Sequence, residues 1–140
     1  MASRIYINLL VSLLFFFLAM HTESRIDLPF RKIHITIANE LDGDKNLLLH
    51  CWSRDDDLGT HNLPIHASYG FHFRTDFFYL TWFNCQFNWL NDSNQIVHYV
   101  MGLYYEGRNK CTNCSWVVKS SGPCMHNFDA HNLKCYRWRE

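Results

Sequence analysis

A run of three consecutive carboxylates, Asp55, Asp56 and Asp57, offers the oxygen ligands that calcium prefers. Calcium loops space such ligands at alternate positions, so that several of them converge on one ion. Here the carboxylates are adjacent, and adjacent side chains of an extended segment point in opposite directions. Gly59 follows shortly after, as is typical of a solvated turn. The sequence therefore favours an acidic turn without a metal ion.

Six cysteines offer a second kind of chemistry, and they are Cys51, Cys85, Cys111, Cys114, Cys124 and Cys135. The C-x-x-C spacing of Cys111 and Cys114 occurs in zinc knuckles and in redox-active thiol pairs. A second C-x-x-C pair, which would complete a zinc site, is missing from the sequence. An even number of cysteines in a small exported chain is typical of structural disulfides, which six cysteines can form in fifteen ways. We predict three disulfides, and their pairing is open at this point.

The histidines raise the question of acid–base catalysis, which needs two titrating groups positioned in one cleft. Residues 61–64, HNLP, are superficially similar to the H-G-L-W-P box of plant T2 ribonucleases. The glycine and the tryptophan of that box are missing, and no second histidine-rich box follows. The G-x-S-x-G pattern of a nucleophile elbow is missing as well. We therefore predict a protein that is not an enzyme, with no catalytic residue and no cofactor.

The amino terminus has the pattern of a secretory signal peptide. Arg4 supplies a positive charge, and residues 5–19 form an uncharged apolar run. This run is shorter than the roughly 20 residues that a membrane-spanning helix needs. Small residues at Ala19, Thr22 and Ser24 offer cleavage points. We predict a signal peptide over residues 1–24, cleaved between 19 and 25, and one exported domain over residues 25–140. An uncleaved signal anchor is the alternative.

The charge balance argues against nucleic acid as a partner. Thirteen basic residues face thirteen acidic ones, and removal of residues 1–24 takes away Arg4 and Glu23 and leaves the chain neutral. A nucleic-acid-binding protein needs a basic surface to neutralise phosphates. The eight histidines that remain would make the protein cationic in an acidic exterior. Two glycosylation sequons, at Asn91 and Asn113, agree with export.

Apolar residues at every second position predict β-strands in the exported part of the chain. Pro64 favours an edge position for the predicted strand 59–67, since proline cannot donate a hydrogen bond to a neighbouring strand. In the predicted strand 81–89, Cys85 falls on the aromatic, inward side together with Phe83 and Phe87. The predicted strands cover residues 33–38, 47–53, 59–67, 68–74, 81–89, 95–105 and 115–119, with a last segment that ends at 135–138. We predict an all-β fold, a single antiparallel β-sandwich of seven or eight strands stapled by disulfides.

Residues 50–59, HCWSRDDDLG, resemble the H-C-x-S-[KR]-D-D-D-L-G signature of the plant self-incompatibility S1 proteins, also called S-protein homologues. Further similar segments occur in the same order at 33–41 (IHITIANEL), 69–74 (YGFHFR), 83–87 (FNCQF), 111–118 (CTNCSWVV), 122–124 (GPC) and 135–138 (CYRW). The sequence departs from the family at residues 96–99, where IVHY replaces an aromatic-rich segment. The ordered set is what makes the resemblance specific.

The resemblance implies a small secreted β-sandwich protein that acts as a ligand without an enzymatic step. In poppy-type self-incompatibility such ligands engage a pollen membrane protein and stop incompatible pollen tubes. We therefore expect an extracellular ligand in cell–cell recognition, such as the rejection of self pollen, or in related signalling. The expected partner is an extracellular or plasma-membrane receptor protein, with no nucleic acid and no membrane insertion after signal cleavage. We expect a monomer. The alternative is a secreted defence or toxin-like effector, or an inhibitor of a cell-wall enzyme.

A ligand of this kind would present variable polar loops on a rigid sandwich. The loops that we predict for recognition are 42–46, 55–61 and 91–94, and the alternative for each is an inert solvated loop. Their candidate residues are Asp42, Asp44, Asp55, Asp56, Asp57, His61 and Asp92. For the disulfides we expect Cys51 with Cys85, Cys114 with Cys124, and Cys111 with Cys135.

Overall fold

A computed structural model describes residues 2–20, 30–78 and 80–139. Within these ranges the chain forms one helix followed by nine strands, and the chain crosses four times between the two sheets that these strands form. The elements are α1 (Ala2–Met20), β1 (Lys32–Asn39), β2 (Leu47–Trp52), β3 (Asp57–Leu63), β4 (Ser68–Arg74), β5 (Trp82–Leu90), β6 (Ile96–Tyr105), β7 (Asn113–Lys119), β8 (Gly122–Asn127) and β9 (Asn132–Cys135).

Two sheets pack face to face, one in the order β4-β1-β7-β8-β9 and the other in the order β3-β2-β5-β6. The inward residues come from the alternating positions, as in β5, where Phe83, Cys85 and Phe87 are at most 2% exposed. The ring of Phe83 lies 4.5 Å from that of Phe73 in β4 of the opposite sheet, measured between centroids. The predicted all-β sandwich is therefore confirmed, and its core is aromatic.

Three details differ from the prediction. Strands β1 and β7 pair in parallel, with His34 opposite Asn113, whereas the other pairings are antiparallel. A ninth strand, β9, extends the five-stranded sheet beyond β8. Strand β3 begins at Asp57 rather than 59, because Gly59, with a φ of 73°, lets the chain pair with β2 directly after a four-residue turn.

The disulfides are Cys51–Cys85, Cys111–Cys114 and Cys124–Cys135. The predicted pair of Cys51 and Cys85 is confirmed, and these two residues are opposite each other in β2 and β5. The predicted pairs Cys114–Cys124 and Cys111–Cys135 are wrong. Cys114 faces the core from β7, whereas Cys124 pairs with Val117 on the outward side of the same sheet. A sheet separates the two sulfurs, and Cys124 instead bonds to Cys135, its register partner in β9.

The segment after β9 closes one side of the sandwich. Trp138 stacks on Tyr99 of β6 at 4.6 Å between ring centroids, and its indole N–H donates to the carbonyl of Lys119 at 3.0 Å. Gly122, at the start of β8, leaves room for this segment, since a Cβ there would lie 1.9 Å from the carbonyl oxygen of Tyr136. The closing residues thus tie the four-stranded sheet to β7 and β8 of the five-stranded one.

The predicted signal segment corresponds to α1. In the part of the chain that the structure describes, no helix combines the length and the apolar character needed to cross a membrane. Most of the predicted cleavage window, residues 21–25, lies outside the described residues, so signal cleavage remains a prediction.

Candidate recognition surface

The connections between strands gather at two ends of the sandwich, as the strand directions require. At one end, called here the Asn39 end, lie the connections 40–46, 64–67, 91–95 and 120–121. At the other, called the Ser53 end, lie the connections β2–β3, β4–β5, β6–β7 and β8–β9. Two of the three predicted recognition loops, 42–46 and 91–94, therefore meet at the Asn39 end, and the acidic turn lies at the opposite end.

Asn39 organises the end that carries its name. Its side chain is fully buried at the last position of β1. The amide nitrogen Nδ2 donates to the carbonyls of Lys45, at 2.8 Å, and Leu63, at 2.9 Å. The oxygen Oδ1 accepts from the backbone N–H of Leu41 at 3.1 Å. One amide group thus fixes loop 40–46 against the end of β3 in the opposite sheet.

Lys45 joins the two predicted loops. Its Nζ lies 2.7 Å from the carboxylate of Asp92 and donates to the carbonyl of Asp42, also at 2.7 Å. The lysine side chain is only 20% exposed, whereas Asp92 is 93% exposed. An ion pair of this kind contributes little to stability. Its consequence is positional, because it holds the tip of loop 91–95 beside loop 40–46.

Asn91 closes the β5–β6 hairpin. Its Oδ1 accepts from the backbone N–H groups of Ser93, at 3.0 Å, and Gln95, at 2.9 Å. Asn94 takes a left-handed conformation, with a φ of 62°, which asparagine tolerates. A sugar on Nδ2 would leave both bonds to Oδ1 in place, so the loop is compatible with the predicted glycosylation. The second sequon residue, Asn113, is exposed on the first position of β7.

An open groove of about 690 Å³ lies between these loops. Its floor is apolar and exposed, with Leu48 at 42%, Leu90 at 49% and Ile96 at 76%. Asp44, Lys45 and several asparagines form its polar border. An exposed apolar patch with a polar rim is the usual composition of a protein interaction site.

The acidic turn at the Ser53 end is closed on itself. The hydroxyl of Ser53 accepts from the backbone N–H groups of Asp55, at 3.2 Å, and Asp56, at 3.0 Å. The carboxylate of Asp57 accepts from the N–H of Gly59, at 2.9 Å, and lies 2.7 Å from Nε2 of His50. The Gly59 hydrogen bond, followed by that of His50, holds the pKa of Asp57 below its ordinary value. This turn is a structural motif that presents Asp55 and Asp56 to solvent.

His61 does not belong to a loop, which corrects the predicted boundary of 55–61. Both Asp57 and His61 lie within β3. The ring of His61 stacks on Tyr69 of β4 at 3.6 Å between centroids, and its Nε2 lies 2.9 Å from the carbonyl oxygen of Leu58. His61 therefore links the edge strands of the two sheets. The predicted loop 55–61 overlapped the predicted strand 59–67, and the structure assigns residues 57–63 to the strand.

Sequence reasoning missed the two residues that organise the Asn39 end. Asn39 was part of a matching segment and was given no role, and Lys45 was placed inside a loop without a partner. The available signal for Asn39 was a polar residue directly after three alternating isoleucines, at a position that continues their inward side. Nothing local in the sequence pairs Lys45 with Asp92, which is 47 residues away.

Among the described residues, no group of three or more histidine, cysteine or acidic side chains is arranged to hold a metal ion. The fold and the loop contacts together define the class of protein. It is a small, disulfide-linked β-sandwich domain in which loops from different strand connections form one surface at one end.

Comparison with known proteins gives the family. The model of the family described as plant self-incompatibility protein S1 matches residues 34–138. S-protein homolog 2 of Arabidopsis thaliana is 36% identical over 115 residues, which cover 80% of this chain and 71% of that protein. S-protein homolog 3 of the same plant is 35% identical over 111 residues, or 74% of this chain and 71% of the relative. S-protein homolog 29, also of Arabidopsis thaliana, is 29% identical over 140 residues, which cover 98% of this chain and 97% of that protein. The chain belongs to the plant self-incompatibility protein S1 family, which confirms the predicted resemblance.

Proposed function

We propose that this protein is a secreted, non-enzymatic ligand in cell–cell recognition, such as the rejection of self pollen, or in related signalling. It binds a receptor protein on the outside of a plasma membrane through its Asn39 end. Family membership, the predicted signal peptide, the three disulfides and the two sequons support this proposal. A cross-linked domain loses little conformational entropy when it docks, which favours binding through preformed loops.

The observation that carries the proposal is the ion pair between Lys45 and Asp92 beside the apolar groove. The pair makes one surface out of loops from two different strand connections. Ile96 is the most exposed apolar residue of the groove, and a buried apolar anchor surrounded by polar residues is how protein interfaces gain affinity. The Asp55–Asp56 turn has no bond to this surface among the described contacts, so we assign it no share in the binding.

The test compares Ile96→Glu with a matched change at the other end, Leu80→Glu. Both residues are exposed apolar side chains, at 76% and 59%, so both variants should fold. We expect Ile96→Glu to weaken binding of the labelled, secreted and glycosylated protein to responding cells by at least about tenfold. The cellular response should fall in parallel, and Leu80→Glu should leave both unchanged.

Two results would contradict the proposal. Loss of binding in Leu80→Glu with normal binding in Ile96→Glu would move the interface to the Ser53 end. Absence of saturable binding to any responding cell, together with inhibition of a cell-wall hydrolase by the purified protein, would replace the receptor ligand by an enzyme inhibitor.

A further inference from the structure

The outer face of the five-stranded sheet carries an unusual arrangement of basic groups at its β1–β4 edge. Lys32 is directly opposite Arg74 in the antiparallel register, and His34 is directly opposite His72. All four side chains are exposed, and the two imidazole rings lie 5.7 Å apart between centroids. These four residues form what we call the cationic square.

The square works against the stability of the sheet. Directly opposite side chains have Cβ atoms about 4.5–5.5 Å apart, and like charges in such positions are destabilising. None of the four forms an ion pair with any residue that the structure describes. A position that costs stability and has no internal compensation is one at which a bound anion would supply the compensation.

Asp55, Asp56 and Asp76 line one pocket with Arg74, but none of these carboxylates forms an ion pair with the square among the described residues. Asn113 of β7 is the parallel partner of His34, and its backbone N–H donates to the carboxylate of Asp129. The same carboxylate accepts from the backbone N–H and the hydroxyl of Thr112. The carboxylate of Asp76, just after β4, accepts from the N–H of Leu80 at 2.9 Å. Arg31, which precedes Lys32, adds a further positive charge. Among the described residues, no ion pair therefore neutralises the positive charges of the square.

The face continues from the square as a shallow polar strip. Thr36 is opposite Gly70, and Ala38 is opposite Ser68. The outward positions of β1 and β4 thus carry hydroxyls, small residues and charges, with no large apolar side chain to enter a bilayer. Charged positions two residues apart along a strand are spaced by about 6.7 Å, which suits a ligand with regularly repeated carboxylates.

We propose that the cationic square and its strip bind an acidic polysaccharide, a linear polymer of uronic acids. The carboxylates contact Lys32, Arg74 and the two histidines, and sugar hydroxyls contact Thr36 and Ser68. Histidine changes charge between pH 5 and 8, so binding strengthens as the pH falls and the complex takes up protons. This site lies on a sheet face and does not involve the Asn39 end.

The experiment measures binding of a short oligogalacturonate to the secreted, oxidised protein by calorimetry. We expect affinity at about pH 5.5 to exceed that at about pH 7.5 by at least about fivefold, since histidine as a residue type gains positive charge on acidification in this range. Heats measured in two buffers of different ionisation enthalpy should show proton uptake on binding. The fully methyl-esterified oligomer, which is uncharged, should not bind.

Two double variants separate the contributions. His34→Gln with His72→Gln should bind weakly at both pH values and lose the proton uptake. Lys32→Gln with Arg74→Gln should lose most of the binding and, because a like-charge pair is removed, should melt at the same or a higher temperature than the wild type. Lys134→Gln is the control for loss of a positive charge elsewhere on the protein, because Lys134 lies in β9 at the opposite edge of the same sheet.

Three results would overturn the proposal. Equal binding of the esterified oligomer would show that carboxylates are not recognised. An equal loss in Lys134→Gln and in the Lys32/Arg74 variant would show non-specific charge attraction. Tighter binding to phosphatidylserine vesicles than to the oligomer, lost in the same double variants, would make the square a lipid-surface site instead. Each of these outcomes leaves the receptor-binding test at Ile96 unaffected.

Discussion

The two hairpin turns of the four-stranded sheet, 91–95 between β5 and β6 and 53–56 between β2 and β3, are built alike and used differently. Each is closed by its first side chain, Asn91 in one and Ser53 in the other, which accepts two backbone N–H groups from its own turn. Within the described residues, loop 91–95 also reaches a different connection through Asp92 and Lys45. The described hydrogen bonds and the ion pair of the acidic turn 53–56 stay within its own hairpin.

The charged residues at the two ends therefore differ in role. Lys45 and Asp92 hold two loops together, whereas the ion pair between Arg54 and Asp55 stays within one turn. A substitution in the acidic turn changes that turn alone, since its hydrogen bonds are local. A substitution in loop 40–46 or 91–95 is transmitted to the partner loop, because Lys45 contacts both. Distinct binding specificities are therefore available at the Asn39 end through few changes, while the sandwich remains the same.

The largest effect is expected from Asn39→Leu. Leucine has a similar shape but leaves the carbonyls of Lys45 and Leu63 without their donor, and the second of these hydrogen bonds is buried. We expect the free energy of unfolding to fall by about 2–4 kcal/mol, measured by urea denaturation of the oxidised protein. Ser53→Ala, which removes the equivalent closure at the other end, should cost only about 0.5–1.5 kcal/mol because that turn is solvated.

The comparison would fail if the two variants lost equal stability, since the Asn39 end would then be no more integrated than the acidic turn. Asn46→Leu serves as the control for a loop change at the Asn39 end, because Asn46 is exposed. It should leave the urea midpoint within experimental error of the wild type.

A smaller effect is expected from Lys45→Met, which retains the length of the side chain and removes its charge. Stability should change by less than about 1 kcal/mol, as for other ion pairs with an exposed partner. Backbone amide chemical shifts should nevertheless change in 91–95 as well as in 40–46. Arg54→Met, which breaks the contact of Arg54 with Asp55 at 3.3 Å, should change shifts in 53–57 alone. Shift changes confined to 40–46 in Lys45→Met would show that the loops are independent.

The parts of the fold that the sequence predicted are those encoded in alternation within one strand. The alternation of Ile33, Ile35 and Ile37 predicted both the position of β1 and the side of it that is buried. The same holds for β5, whose inward side contains Cys85. The disulfide pairing was only partly predictable, because β8 is short and its alternation does not show that Cys124 faces outward. The parallel pairing of β1 with β7 could not be predicted either, since the partners are distant in sequence and no local pattern distinguishes a parallel neighbour.

The candidate site divides in the same way. The turn residues identified loops 42–46 and 91–94, but their meeting depends on strand directions and on Lys45, which are properties of the tertiary structure. The unusual segment 96–99 shows the same dependence. Its Tyr99 packs inward on Trp138, while Ile96 is left exposed in the groove. Sequence reasoning found that this segment departs from the family but could not show that the departure supplies an apolar surface.

The smallest effect concerns pH and distinguishes Asp57, which holds its hairpin, from Asp55, which does not. Hydrogen bonds from Gly59 and then His50 lower the pKa of Asp57 below its ordinary value of 3.8, so ionised Asp57 stabilises the folded state. This contribution is complete above about pH 4 and disappears as the pH falls through the lowered pKa. Asp57→Asn should therefore be less stable than the wild type near neutrality, and the difference should vanish in acid. Melting temperatures measured between about pH 7 and about pH 2.5 test this pH dependence.

Asp55→Asn is the matched control and should give a melting curve against pH that is parallel to that of the wild type. An Asp57→Asn curve that also stayed parallel down to the lowest pH would show that this carboxylate does not hold the turn.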